Sequence, residues 1–389
     1  MSPSKKIFFI SSLLLAIVLL LWGVYYLSFK KPAEKVAEVQ KQNEVPATET
    51  QESSPTQAQK TKSDAKIFPV SEEPVLGPIF ADSEQVVKYY SKENGKTYQI
   101  DPDGNGKKVI SEKDLPGLTG VYWSPSKTKV LTKFSKGNGQ SQFFYYDYAN
   151  RRGMPLKNNL DFVVWQNNDK IFYKYFDPAS QKRSLNIANP DGTGWEKITE
   201  LNYKDIIIAP VPQSGLVSFW TNPDANSETV LQSVSIVGQS SKILFTGKFG
   251  VDYLWNNNGT KALLSHSDAK GGTKIRLAVI NDQGGEYKNL EMPTFVTKCV
   301  WTRDNKTVYC ALPGSIPESA ILPNDYYAGK FNTTDTFWKV NTQTGEKERI
   351  VALDKIQDTF DASTLFLNYD ESILFFVNKS DGKLYRADL

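Results

Sequence analysis

Four stretches of this sequence restate one another: VYWSPSKTKVLTKF (121–134), VVWQNNDKIFYKYF (163–176), YLWNNNGTKALLSH (253–266) and CVWTRDNKTVYCAL (299–312). Each is an apolar run ending in Trp, a polar turn, then a second apolar run. The same register admits Phe80, Val211 and Leu367 beside Trp123, Trp165, Trp255 and Trp301, giving intervals of 43, 42, 46, 44, 46 and 66 residues. A third apolar run follows each pair, as in TYQID, SLNIAN, IRLAVIN, FWKVN and KLYRAD, then a polar turn and a fourth short run. Alternating, aromatic- and β-branched-rich runs bounded by Asn, Gly, Asp and Pro read as antiparallel strands, and helical spacing is absent. Units of about 45 residues with four short strands each are the mark of a β-propeller. The expected fold is therefore all-β, a seven-bladed β-propeller of four-stranded antiparallel blades over 66–389. Six blades with one stray unit is the alternative. The seventh unit lacks a fourth strand, and KIFPV (66–70) precedes Phe80 at the spacing that fourth strands keep from their next anchor. This N-terminal strand is expected to pair into the last blade and close the ring, removing exposed sheet edges.

Ahead of the repeats lies IFFISSLLLAIVLLLWGVYYLSF (7–29), 23 residues without a charge, flanked by Lys5, Lys6, Lys30 and Lys31. At 1.5 Å per helical residue it spans a hydrocarbon core of roughly 30 Å. Its bulky, basic end differs from a cleavage site, so 1–29 reads as an uncleaved transmembrane signal-anchor, with a cleaved signal peptide as the alternative. Lysines on both flanks weaken the orientation argument, and the expectation is a propeller outside the cytoplasm. Residues 30–65 are rich in Gln, Glu, Thr, Pro, Ala and Lys and too poor in large apolar groups to offset chain entropy, so they read as a disordered linker.

Charge points to no nucleic-acid partner. The net +3 includes the four lysines around the anchor, leaving about −1 for the rest. A single histidine, His266, excludes multi-histidine metal centres, and a Ser-His-Asp arrangement would have to run through it. Asp and Glu are scattered over turns, and the seven arginines form no cluster. No catalytic residue and no cofactor is assigned.

The turns and strands YWSPSKTKVL, IDPDGNGKKVI and IANPDGTGWEKIT resemble the TolB-type (WD-like) propeller repeat family and its relatives in dipeptidyl-peptidase-like propellers. The resemblance covers 66–389 and implies the fold rather than an activity. An anchor and tether stand where TolB has an α/β domain, so that family's partners are not carried over. The overall plan is similar to membrane-tethered bacterial propeller proteins.

Three features invite a functional reading. DPDGNGKKVISE (101–112) spells a calcium loop, with Asp101, Asp103, Asn105 and Glu112 at ligand positions. Its near copy NPDGTGWEKITE (189–200) argues for a strand-to-strand turn. A strand over 108–111 would also carry Glu112 roughly 20 Å from Gly106. A partial site from Asp101, Asp103 and Asn105 stays open as a weak metal candidate. Cys299 and Cys310 fall opposite each other across a hairpin, which favours a disulfide over a pair of buried thiols. Finally, 312–335 is an insertion between the second and third strands of blade six, carrying Tyr326, Tyr327 and Phe331. Rigid aromatics above a propeller mouth suit recognition, and a loop folded over its neighbour is the alternative. Deleting 313–334 is expected to leave folding intact and abolish partner capture. The leading expectation is a non-enzymatic, membrane-anchored binding or scaffold module for protein or envelope glycan. The rival is a propeller glycan hydrolase or lyase with carboxylates in the central funnel.

Overall fold

The computed structural model describes residues 66–389 apart from 138 and 239. The anchor expected at 1–29 and the tether at 30–65 lie outside the described residues. Among the described residues no helix is long and apolar enough to cross a membrane.

Seven four-stranded antiparallel sheets follow one another along the chain, and the six-bladed alternative falls. Blades one to six occupy 75–111, 118–155, 160–201, 206–245, 252–289 and 299–349. Blade seven combines Ala362–Leu367, Ile373–Asn378 and Leu384–Asp388 with the N-terminal strand Ile67–Pro69. Ile67 pairs with Ala387 and Pro69 with Tyr385, so the ring is closed by the two ends of the described chain. The first strands of successive blades neighbour one another and form the inner ring. Loops joining second to third strands share one end of the propeller with the blade-to-blade connections. That end is called the top here.

The repeated tryptophans have a physical reason. Trp123 Nε1 donates to Gly77 O at 2.9 Å, Trp165 Nε1 to Tyr122 O at 2.8 Å, Trp255 Nε1 to Ser218 Oγ at 2.8 Å and Trp301 Nε1 to Leu254 O at 3.1 Å. Every acceptor lies in the preceding blade. Each ring fills an inter-blade gap while its N–H, costly to bury unpaired, ties the two blades together. The turns between third and fourth strands also share one geometry. The amides of Gly104, Gly192, Gly238 and Gly284 donate to the carbonyls of Asp101, Asn189, Ser235 and Asn281 at 2.9–3.0 Å. These glycines have φ between 74° and 84°, a left-handed conformation that other residues adopt only at a cost.

Apolar cores lie between the blades. Six of the seven interfaces hold between 8 and 11 buried apolar residues. The interface between blades one and two holds only Tyr90, Val121 and Val130, with the rest of its apolar side chains half-exposed.

Candidate functional site

The insertion departs from the repeat between the strands Thr307–Gly314 and Thr334–Asn341 and carries one helical turn, α1 (Asn324–Tyr327). It is not a free loop. Leu322 N donates to Gly272 O of blade five at 3.0 Å. Asn324 exchanges hydrogen bonds with Asp224 Oδ1 and Ala225 N of blade four at 2.8 and 2.7 Å. The Tyr326 ring stacks on Phe295 at 4.4 Å and 13°. Leu322, Ala320 and Tyr326 are buried with Ile275 and Phe295 as a core of their own. The segment thus crosses the top of the propeller from blade six to blade four.

Beneath it lies a buried ionic cluster. Lys298, just before the first strand of blade six, is fully buried. Its Nζ donates to Asp335 Oδ2 at 2.6 Å, Asp361 Oδ1 at 2.7 Å, Ala362 O at 2.9 Å and Thr333 Oγ1 at 3.1 Å. Tyr326 Oη donates to Asp361 at 2.7 Å, and Ala362 N to Asp335 at 2.7 Å. Lys379 Nζ lies 3.9 Å from Asp361 and 3.8 Å from the Tyr326 ring centroid. Two carboxylates therefore face two ammonium groups, the balance that makes buried charge tolerable. The carboxylates differ. Burial holds Asp335 above the usual carboxylate range, outweighing Lys298 and Thr333. At Asp361 burial is overcome by Lys298, Tyr326 and Lys379, which hold it below that range. Every donor of Lys298 is consumed, so the cluster acts as a clamp on the insertion and on the join between blades six and seven.

A further buried carboxyl is bonded to neutral donors instead. Asp252, at the top of the first strand of blade five, accepts from Trp220 Nε1 at 3.1 Å, Tyr253 N at 3.0 Å and Tyr327 Oη at 3.4 Å. Burial pushes its pKa up against these bonds.

The residues singled out from sequence fall as follows. Tyr326 is only 2% exposed and points into the protein, Phe331 is half-buried against it, and Tyr327 is 39% exposed. Of the three rings, Tyr327 alone is exposed. Deleting 313–334, expected to leave folding intact, would strip Phe295 of its cover and leave Lys298 without Thr333. At 101–112, Asp103 accepts from Asn105 N at 3.0 Å and from Asn105 Nδ2 at 2.9 Å, bonds that hold its carboxyl below the usual range. Asp101 N donates to Asn105 O at 2.9 Å, and Glu112 binds Lys96 at 3.0 Å. Among the described residues no three His, Cys, Asp or Glu side chains gather as a metal set. Cys299 and Cys310 are cross-strand partners joined as a disulfide, with Cα atoms 4.1 Å apart. His266 is buried, with Nδ1 at 2.6 Å from Ser267 O and Nε2 at 2.8 Å from Tyr287 Oη, and burial lowers its pKa. Sequence reading missed Lys298, Asp335, Asp361 and Asp252. For Lys298, Asp361 and Asp252 the one signal was a charge at the threshold of an apolar first strand, as in VTKCVW; Asp335, in a third strand, had none.

No family profile and no curated protein sequence matches this chain. Solved structures do share its fold. An oligogalacturonate lyase from Vibrio parahaemolyticus is 10% identical, with a TM-score of 0.59 over 84% of this chain and 94% of that one. The tricorn protease is 12% identical, TM-score 0.54, over 84% of this chain, which spans about a third of that longer chain, 34%. TolB from Acinetobacter baumannii aligns more loosely, 11% identical with a TM-score of 0.45, over 71% of this chain and 62% of that one. The first two likenesses, at such identities, are of fold alone: this chain is a β-propeller.

Proposed function

We propose that this protein is a non-enzymatic binding module, tethered to a membrane by 7–29 and 30–65 and standing outside the cytoplasm, whose top face receives a protein or an envelope glycan. The observation that carries the reading is the clamp. Lys298, Asp335, Asp361 and Tyr326 fix the insertion across blades four to seven, which preorganises a surface for recognition. The cluster's hydrogen-bonding capacity is spent internally, which suits structure better than proton transfer. The uncharged stretch 7–29 and its polar sequel support the tether. The test is pull-down with the full-length chain in its own envelope. Wild type is expected to capture a partner and Tyr327→Ala to lose most of it, while unchanged capture by the variant contradicts the reading.

A second reading is a glycan-cleaving enzyme. Asp252 supports it, because burial favours its protonated form, the form a general acid needs, and the oligogalacturonate lyase shares the fold. A glycan turnover screen separates the two. Turnover by wild type that Asp252→Asn abolishes favours the enzyme, and silence across the screen favours the binding module.

A further inference from the structure

The open part of the top face, from blade one to the near edge of blade four, is built differently from the capped part. Two cavities flank the hairpin that joins Lys129–Ser135 to Ser141–Asp147 in blade two. Strand residues alternate between faces, and Lys133 and Phe134 accordingly line opposite cavities. The first cavity, about 730 Å³, opens between blades one and two, where the apolar core is thinnest. Phe134 and Phe144 meet edge-on at 5.2 Å in its wall, beside Tyr146 and Tyr148, themselves edge-on at 4.9 Å. All four rings are part-exposed, Tyr146 and Tyr148 also resting on the thin core of Tyr90, Val121 and Val130. The second cavity, about 690 Å³, is lined by Lys133, Lys174, Lys204, Asp161 and Asp205. Lys136 lines both.

Lys174 is the telling residue. It is 4% exposed, yet its ammonium has one hydrogen-bond acceptor among the described residues, the carbonyl of Lys204. The nearest carboxylate, Asp161, stands at 3.9 Å, beyond hydrogen-bonding range, and is already engaged by Arg183 Nε at 3.3 Å. Two of three N–H groups are thus left over on a buried charge that lines an open cleft, a costly arrangement unless an acceptor arrives. Four lysines (Lys133, Lys136, Lys174, Lys204) line this cleft against two carboxylates, Asp161 and Asp205. Aromatic faces take the apolar side of a sugar ring, and lysines take its oxyanions.

We infer that this paired groove and cleft bind an acidic oligosaccharide, with sugar rings against Phe134, Phe144 and Tyr146 and an oxyanion on Lys174. The inference rests on the reading of the top face as the binding face and gives its ligand a chemical class. The oxyanion is supplied either by a uronate carboxylate or by a phosphodiester in the glycan backbone.

Titration calorimetry on the full-length protein in detergent tests it with three probes: an oligouronate, an oligo(glycerol phosphate) and a neutral oligoglucan of equal length. At least one acidic probe is expected to bind at least tenfold more tightly than the neutral one, and which of the two does so identifies the source of the oxyanion. Lys174→Met and Phe144→Ala are each expected to weaken that binding at least tenfold. The rim variant Lys136→Ala, at an exposed site, is expected to weaken it several-fold and keeps the test readable if Lys174→Met misfolds. Equal affinity for acidic and neutral probes, no binding of any probe, or acidic binding indifferent to Lys136→Ala and Phe144→Ala overturns the inference. Envelope capture that Tyr327→Ala abolishes, without binding of either acidic probe, leaves the binding-module reading standing and removes only this ligand.

Discussion

The Lys298 ammonium donates to the Asp361 carboxylate at 2.7 Å across the boundary between blades six and seven, both side chains fully buried. The bond joins residues 63 positions apart, and Asp335 completes the bridge from a third strand. Blade packing and insertion placement are thereby coupled through one ammonium group.

Removing that group leaves two buried carboxylates facing each other with only Lys379 near. Lys298→Met is expected to destabilise the propeller by about 3–5 kcal/mol, the usual cost of stranding one partner of a buried pair. Replacing the set together, as Lys298→Met, Asp335→Leu and Asp361→Leu, is expected to recover much of the loss. Urea unfolding of the three proteins measures both.

Asp252 gives a pH signature. Its folded pKa is raised by burial, so the folded state holds the proton more tightly than the unfolded one. The associated stability is present below the unfolded carboxyl value of about 4 and is lost as pH rises through the folded one. Relative to Asp252→Asn, the wild type is therefore expected to lose stability as pH rises above about 4. Thermal unfolding of both proteins from about pH 4 upward reads the difference, and a wild type that gains stability relative to the variant as pH rises contradicts the assignment.

Much of the architecture was legible in the sequence because its cause is local and repeated. A tryptophan whose ring fills an inter-blade gap and whose N–H finds the previous blade recurs in four of the seven units, so Trp123, Trp165, Trp255 and Trp301 announce themselves. Cys299 and Cys310 followed from counting across one hairpin. The clamp was hidden because its members sit in three separate strand contexts, where nothing distinguishes a buried Lys298 from a surface lysine. Tyr326 misled for a related reason: a tyrosine among prolines in a long insertion reads as surface, and its acceptor Asp361 and its stack on Phe295 turn it inward.

The covalent link is expected to matter for stability. Cys299 and Cys310 are 11 positions apart, and a loop of that length contributes about 2–3 kcal/mol by restricting the unfolded chain. Adding a thiol reductant is expected to lower the urea midpoint accordingly, and an unmoved midpoint with alkylated thiols contradicts it.

Ring closure depends on a short strand. Ile67 and Val70 are buried in the cores on the two sides of blade seven, and Ser71 Oγ accepts from Leu384 N at 2.9 Å. Burying such a side chain contributes about 1.5–3 kcal/mol. Ile67→Asp is expected to cost at least that and to speed hydrogen exchange first at Leu384–Asp388. Uniform exchange across all blades contradicts this order.

The central claim is that the top face carries the recognition surface. Photo-crosslinking in the native envelope tests it directly, with a photoreactive residue at the exposed Tyr327 on the top or at Asn105 in a turn on the opposite end. A discrete crosslinked species from position 327 and none from 105 is expected. Crosslinking from 105 alone, or from neither, contradicts it.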